Sequence, residues 1–181
     1  MNLEGIRIYL RMLDIADAEE LCNLEIRNRE FFKEYTYLKD ESFYTIETQV
    51  ERINTNMKRS ENDEYYSFGI FLKETNELIG FTMLSEVLRG DLLSCFVGYY
   101  LDEEHNGKGY MTEAVRLVVD YAFKKLKLHR IEAGVMPRNL GSIKVLEKAG
   151  FHKEGIAKKN VRINGKWEDH QVLAIINDEL E

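Results

Sequence analysis

Gly107-Lys108-Gly109 stands between a strand-like run, Tyr99-Tyr100-Leu101, and a helix-like run that opens with Met111-Thr112-Glu113-Ala114. The first amides of a helix have no internal partner and carry the positive end of its dipole, so they attract anions. Two glycines leave those amides open to phosphate oxygens, and Lys108 adds a charge. Capture of a phosphate or diphosphate is the chemistry to expect, with an ordinary tight loop as the plain alternative. A Walker A loop carries Ser or Thr directly after its Lys, where this chain has Gly109. A dinucleotide fingerprint would need a third glycine at Thr112 and a parallel strand-helix-strand unit, whereas the strands before this loop read as an antiparallel meander. His170 is another residue suited to proton transfer, with a satisfied core histidine as the rival reading. His105, His129 and His152 show no metal-ligand spacing, so no metal is expected.

The elements that must position these groups follow from periodicity. Ile6, Ile8 and Leu10 alternate with Arg7, Tyr9 and Arg11 as in a half-buried strand. Residues 14–28 read as a helix with Ala18, Leu21, Cys22 and Ile26 on one face, and 45–59 as a second helix. Between them lies a run rich in aromatic residues, Phe31, Phe32, Tyr35, Tyr37, Phe43 and Tyr44, read as packing between helices, with an acceptor pocket as the alternative. Residues 66–72, 78–88 and 92–101 form the meander, followed by the loop at 102–109 and a helix with Met111, Ala114, Val115, Val118, Val119, Ala122 and Leu126 on one face. A short strand at 131–135 precedes a helix at 139–149, closed by Gly150 with Phe151 making the accompanying apolar contact. A hairpin turning at Asn164-Gly165 ends the pattern. The order β, α, α, β, β, β, α, β, α, β, β is that of an α/β (α+β) fold, and no composition shift marks a linker, so 1–181 is expected to be a single domain.

A chain of 181 residues, 44% hydrophobic and 31% charged with one proline, has the composition of one globular unit. The net charge of -7 disfavours nucleic-acid binding through a general basic surface, while a local positive patch can still hold an anionic cofactor. No apolar run reaches membrane-spanning length, and the N-terminus lacks a basic stretch followed by an apolar one; the expectation is a cytoplasmic protein with no membrane association. Cys22 and Cys95 read as two reduced, packed thiols.

Val97-Gly98-Tyr99-Tyr100-Leu101, followed by Gly107-Lys108-Gly109-Tyr110-Met111-Thr112-Glu113-Ala114, resembles the acetyl-CoA-binding motif of the GNAT acetyltransferase superfamily. His129-Arg130-Ile131, Asn139-Leu140-Gly141-Ser142, Glu147-Lys148-Ala149-Gly150-Phe151, Glu154-Gly155 and the run from Asn164 to His170 resemble the RimJ/RimL branch, which acetylates N-termini of ribosomal proteins. The likeness spans nearly the whole chain. It implies a mixed, mostly antiparallel sheet splayed between its fourth and fifth strands and flanked by about four helices, with the pantetheine arm of acetyl-CoA in the split. By the same resemblance Tyr99, Tyr100 and Leu101 offer backbone hydrogen bonds to that arm, and Asn106, Gly107, Lys108, Gly109, Tyr110, Met111 and Thr112 hold the pyrophosphate. The resemblance also implies that Asn139 and Ser142 contact the pantetheine and that Ser142 serves as the acid for the leaving thiolate, with a local helix-start bond as the plain alternative for Ser142.

Three positions depart from the pattern. Leu146 stands where many members carry a tyrosine acid, Val161 where some branch members carry an acidic residue, and Glu104 at the first loop position, commonly Gln or Arg. The base is thus left unassigned, with His170 a candidate catalytic residue. The implied reaction is direct attack of a neutral amine on the thioester within a ternary complex, with a ribosomal-protein N-terminus as acceptor. Acetylation of a small amine (polyamine, amino acid or aminoglycoside) and a non-catalytic acyl-CoA sensor are the alternatives. Oligomeric state is left open, a homodimer included.

Overall fold

The alternating and helical stretches fold in the order β1 (Asn2–Glu4), β2 (Ile8–Arg11), α1 (Ala18–Arg27), α2 (Arg29–Phe32), α3 (Ile46–Glu61), β3 (Tyr66–Leu72), β4 (Leu78–Leu88), β5 (Ser94–Leu101), α4 (Tyr110–Lys124), β6 (Arg130–Val135), α5 (Leu140–Lys148), β7 (His152–Ile163) and β8 (Lys166–Ile176). This computed structural model describes residues 1–180, and the last position of the expected domain, Glu181, lies outside them. The strands form one sheet in the order β1-β2-β3-β4-β5-β6-β8-β7, antiparallel throughout except for β5 beside β6.

That parallel pair is short. Ser94, Cys95 and Phe96 face Arg130, Ile131 and Glu132, and beyond them the two strands part. The splay falls where the resemblance places it, because β5 and β6 are the fourth and fifth strands once the added β1 is left out. Among the described residues a fifth helix, the single turn α2, joins the four expected ones.

Both faces of the sheet are covered. Val115, Val118 and Ala122 of α4 and Leu146 of α5 pack with Ile8, Phe68 and Ile131 on one side; Leu21 and Leu24 of α1 and Ile53 of α3 pack with Phe71, Leu78 and Phe81 on the other. Each large apolar side chain so buried contributes about 1.5–3 kcal/mol relative to exposure. Local signals set the ends of several elements. Gly150, at φ 103°, terminates α5 while the Phe151 N–H bonds the Leu146 carbonyl at 3.0 Å. Asn164 and Gly165, at φ 51° and 82°, make the β7–β8 turn.

Two apolar positions depart from their expected faces. Ile6 is 87% exposed, because residues 5–7 form the turn between β1 and β2 rather than the start of a strand. Ile26 is 50% exposed, and the buried face of α1 carries Glu25 instead. A carboxylate holds that position because Arg52 and Tyr100 meet it there.

Candidate active site

The loop after β5 is held at its start by the C-terminal end of α1. Buried Asp102 accepts a 2.6 Å bond from Arg27 Nε, and Asn28 Oδ1 accepts one of 2.9 Å from the Glu103 N–H. Asn106 Nδ2 then donates to the Asp102 carbonyl at 3.3 Å. Gly107 and Gly109 have φ of 75° and 85°, a region that costs residues with a Cβ roughly 1–2 kcal/mol. Gly109 occupies the N-cap of α4. A Cβ on Gly107 would meet nothing within 4 Å, so that side of the loop is open.

A cleft of about 530 Å³ begins at this helix mouth and runs to the split in the sheet. Asn106, Gly107, Gly109, Tyr110, Met111 and Thr112 line its outer end; Tyr99, Tyr100, Leu101, Asn139 and Ser142 line its inner end, with Lys144 and Lys148 also on its walls. Lys108 does not line it: its side chain is exposed and its carbonyl is turned outward. The Asp102 N–H bonds the Ile79 carbonyl at 2.8 Å, which sets the phase of the β4–β5 ladder. In that phase Gly98 and Tyr100 direct their backbone groups to β4, while Val97, Tyr99 and Leu101 direct theirs across the gap toward β6. Tyr100 therefore borders the cleft without a backbone amide to offer it.

Where the strands part, a smaller cavity of about 170 Å³ adjoins the cleft through the shared walls Tyr99, Asn139 and Ser142, and His170 closes it from β8. Asn139 caps α5, its Oδ1 accepting the Ser142 N–H at 3.2 Å. The Ser142 hydroxyl is therefore not spent on the cap; it lies 2.8 Å from the Tyr99 hydroxyl. Burial pushes the Tyr99 phenol well above its ordinary range and keeps it protonated. The sequence assigns Tyr99 only a backbone role, and the alternation of side chains along β5, which aims Tyr99 at α5, is the signal that would have found its hydroxyl. His170 is buried, with Nδ1 3.3 Å from the Glu168 carbonyl. A carbonyl only accepts, so Nδ1 is the donor in that contact. Leu146, in the place of the superfamily tyrosine, is fully buried on the cavity wall.

On the opposite face of β5 lies a third cavity of about 460 Å³. Phe32, Tyr35, Tyr37, Phe43 and Tyr44 line it, so the aromatic run forms cavity walls rather than filling the space between helices; none of its six rings is buried. Tyr35 and Thr36 border all three cavities. Among the residues around the aromatic cavity, Glu25 Oε1 accepts from the Tyr100 hydroxyl at 2.6 Å and from Arg52 Nη1 at 2.8 Å. Arg52 Nη2 in turn donates to the Tyr100 oxygen at 2.9 Å. Nothing in the sequence pattern signals this triad, since its members come from α1, α3 and β5.

Comparison with known proteins agrees with this geometry. Residues 7–152 match the Acetyltransferase (GNAT) domain. The chain is 60% identical over 179 residues to the probable N-acetyltransferase YjcK of Bacillus subtilis (strain 168), covering 99% of each. Among solved structures it superposes on the ribosomal-protein-S5-alanine acetyltransferase of Vibrio fischeri with a TM-score of 0.94 and 35% identity, over 100% of this chain and 99% of that one. It superposes on Mycobacterium smegmatis RimJ in complex with CoA-disulfide with a TM-score of 0.90 and 27% identity, over 96% and 83%. With its split sheet and glycine-mouthed helix, the chain belongs to the GNAT family and is an N-acetyltransferase that takes its acetyl group from acetyl-CoA.

Proposed function

We propose that this single-domain enzyme acetylates the N-terminal α-amine of a protein, with a ribosomal protein as the physiological acceptor. One observation carries the reading: a bare strand edge, two coupled hydroxyls and a histidine surround one cavity at the inner end of the cleft. The whole-length likeness to a ribosomal-protein-S5-alanine acetyltransferase supports the acceptor class, and an acceptor on the ribosome implies a cytoplasmic enzyme.

The residues present fit the donor. The N–H groups of Gly107, Gly109, Tyr110, Met111 and Thr112 surround the pyrophosphate, with Asn106 beside them and Lys108 adding its charge from outside the cleft. Tyr99 and Leu101 offer backbone groups to the pantetheine arm and Asn139 its side-chain amide, with Tyr100 bordering the cleft between them. When bound, acetyl-CoA supplies an acyl carbon already activated by a thiolate leaving group. An α-amine ionises near 7.7–8 against about 10.4 for lysine, so a useful fraction enters neutral, and His170 accepts the proton that its nitrogen loses on attack. The Val97 or Tyr99 N–H stabilises the developing oxyanion. Ser142, hydrogen-bonded to the Tyr99 hydroxyl, protonates the departing sulfur, and the proton that His170 takes from the nitrogen restores the hydroxyl pair when the products leave.

The aromatic cavity favours a second reading, since about 460 Å³ is the size of a small-molecule site. One experiment separates the two. The protein is incubated with acetyl-CoA and either peptides with free N-termini or polyamines, amino acids and aminoglycosides, and thiol release and product mass are followed. Turnover with peptides is expected; turnover confined to small amines overturns the protein acceptor, and thiol release with none of them overturns both.

A further inference from the structure

Gly5, Arg7 and Glu113 lie outside the cleft, yet they meet directly behind its phosphate-facing end. Glu113, in the first turn of α4, sends Oε1 into the β1–β2 turn, where it accepts the N–H groups of Ile6, Arg7 and Ile8 at 2.6, 2.8 and 3.3 Å. A Cβ on Gly5 would stand 2.4 Å from that oxygen and 2.9 Å from the Ile8 carbonyl, so a side chain there would displace the carboxylate. The Arg7 guanidinium donates from Nε to Glu113 Oε2 at 3.2 Å and from Nη1 to the Lys108 carbonyl at 2.7 Å. It also lies 4.6 Å above the Tyr110 ring.

The Lys108 carbonyl and the Gly109 N–H are the two ends of one planar trans peptide and point in opposite directions. Holding the carbonyl outward therefore aims the amide inward, at the helix mouth where Gly109 lines the cleft. The guanidinium also polarises that peptide and strengthens its N–H as a donor. We infer that Arg7 is a positioning residue for the donor: braced by Glu113, it fixes the Lys108-Gly109 peptide so that the Gly109 amide is ready for the pyrophosphate before acetyl-CoA arrives. This rests on the reading of the cleft as the acetyl-CoA site. Because Glu113 neutralises Arg7, the effect is preorganisation more than added charge, and preorganisation appears as affinity.

The test compares wild type, Arg7→Ala and Arg7→Lys by calorimetry with CoA, by steady-state kinetics, and by amide exchange of the ligand-free proteins. Arg7→Ala is expected to weaken CoA binding about 10-fold, the loss of roughly one charge-assisted hydrogen bond, while turnover at saturating donor stays within about twofold. Arg7→Lys should recover less than half of the loss on a logarithmic scale, because an ammonium cannot reproduce the flat two-armed grip. Exchange of the Glu113 amide, which bonds the Gly109 carbonyl at 3.2 Å, should quicken in both variants, with β3 and β4 unchanged. Wild-type affinity and wild-type Glu113 exchange in Arg7→Ala overturn the proposal, as does an equal loss in turnover and in acceptor KM. Absence of CoA binding by the wild-type protein instead sinks the donor-site reading, and the exchange comparison then still decides whether Arg7 braces the loop.

Discussion

In the proposed mechanism the role of acid falls to Ser142 and Tyr99. Leu146, at the position where the family resemblance expects a tyrosine, is sealed in the core, and two hydroxyls 2.8 Å apart line the cavity. Ser142→Ala is expected to lower kcat by about 10²-fold, the low end for general acid catalysis, and to change CoA affinity less than about threefold. Tyr99→Phe, which leaves Ser142 in place, should cost about tenfold in kcat. Steady-state kinetics alongside calorimetry checks both, and unchanged turnover in Ser142→Ala would return that residue to a purely structural place. At this scale the sequence marks Ser142 through the run Asn139-Leu140-Gly141-Ser142 but says nothing of the Tyr99 hydroxyl, whose partner lies 43 residues away.

Helices α1 and α3 are tied to β5 by an ion pair between buried Glu25 and half-buried Arg52, closed by Tyr100. Burial works against the charge on Arg52, but Tyr100 and Glu25 outweigh it and hold its pKa above the ordinary arginine value. Removing one partner strands the other charge, so Arg52→Met should lose about 3–5 kcal/mol of stability in urea denaturation. The double substitution Arg52→Met with Glu25→Gln should regain much of that, and additive losses would argue against the coupling. On the other side of the site, the β7–β8 turn holds the aromatic segment in place. Asn164 Oδ1 accepts the Leu38 N–H at 2.8 Å and its Nδ2 donates to the Thr36 carbonyl at 3.3 Å. Asn164→Gly keeps the backbone turn and removes both bonds. The expected result is an acceptor KM raised about three- to tenfold with CoA affinity unchanged, since each neutral hydrogen bond contributes about 0.5–1.5 kcal/mol. A wild-type acceptor KM would leave the contact without a part in acceptor binding.

Across the whole molecule the titratable groups most displaced by burial are neutral acids. Burial raises the phenols of Tyr66, Tyr99, Tyr100 and Tyr121 and pushes the Cys95 thiol up to about 12. The unfolded chain releases these protons earlier, near 8.5 for a thiol and about 10 for a phenol. Above those values the unfolded state binds fewer protons than the folded one, so stability is full below them and declines as pH rises toward the folded-state pKa values. Tm should therefore fall steadily above about pH 9, with phenolate absorbance appearing in step with unfolding. A Tm that holds level through pH 11 would contradict this.

What the sequence determined by itself is whatever neighbouring residues decide. The glycine mouth of α4, the Gly150 cap, the Asn164-Gly165 turn and the strand alternation rest on contacts within a few positions, and with them came the family motif and the location of the split. Folding alone decided which edge of β5 lies open, that Glu25 rather than Ile26 faces inward, that the aromatic run walls a cavity, and that Arg7 stands behind the loop. Those outcomes depend on partners 75 and 101 residues apart, for Glu25 with Tyr100 and Arg7 with Lys108. The reason is physical: a periodic pattern says which face of an element seeks burial, but a charged or aromatic side chain takes its place from partners that only the packed sheet brings within reach.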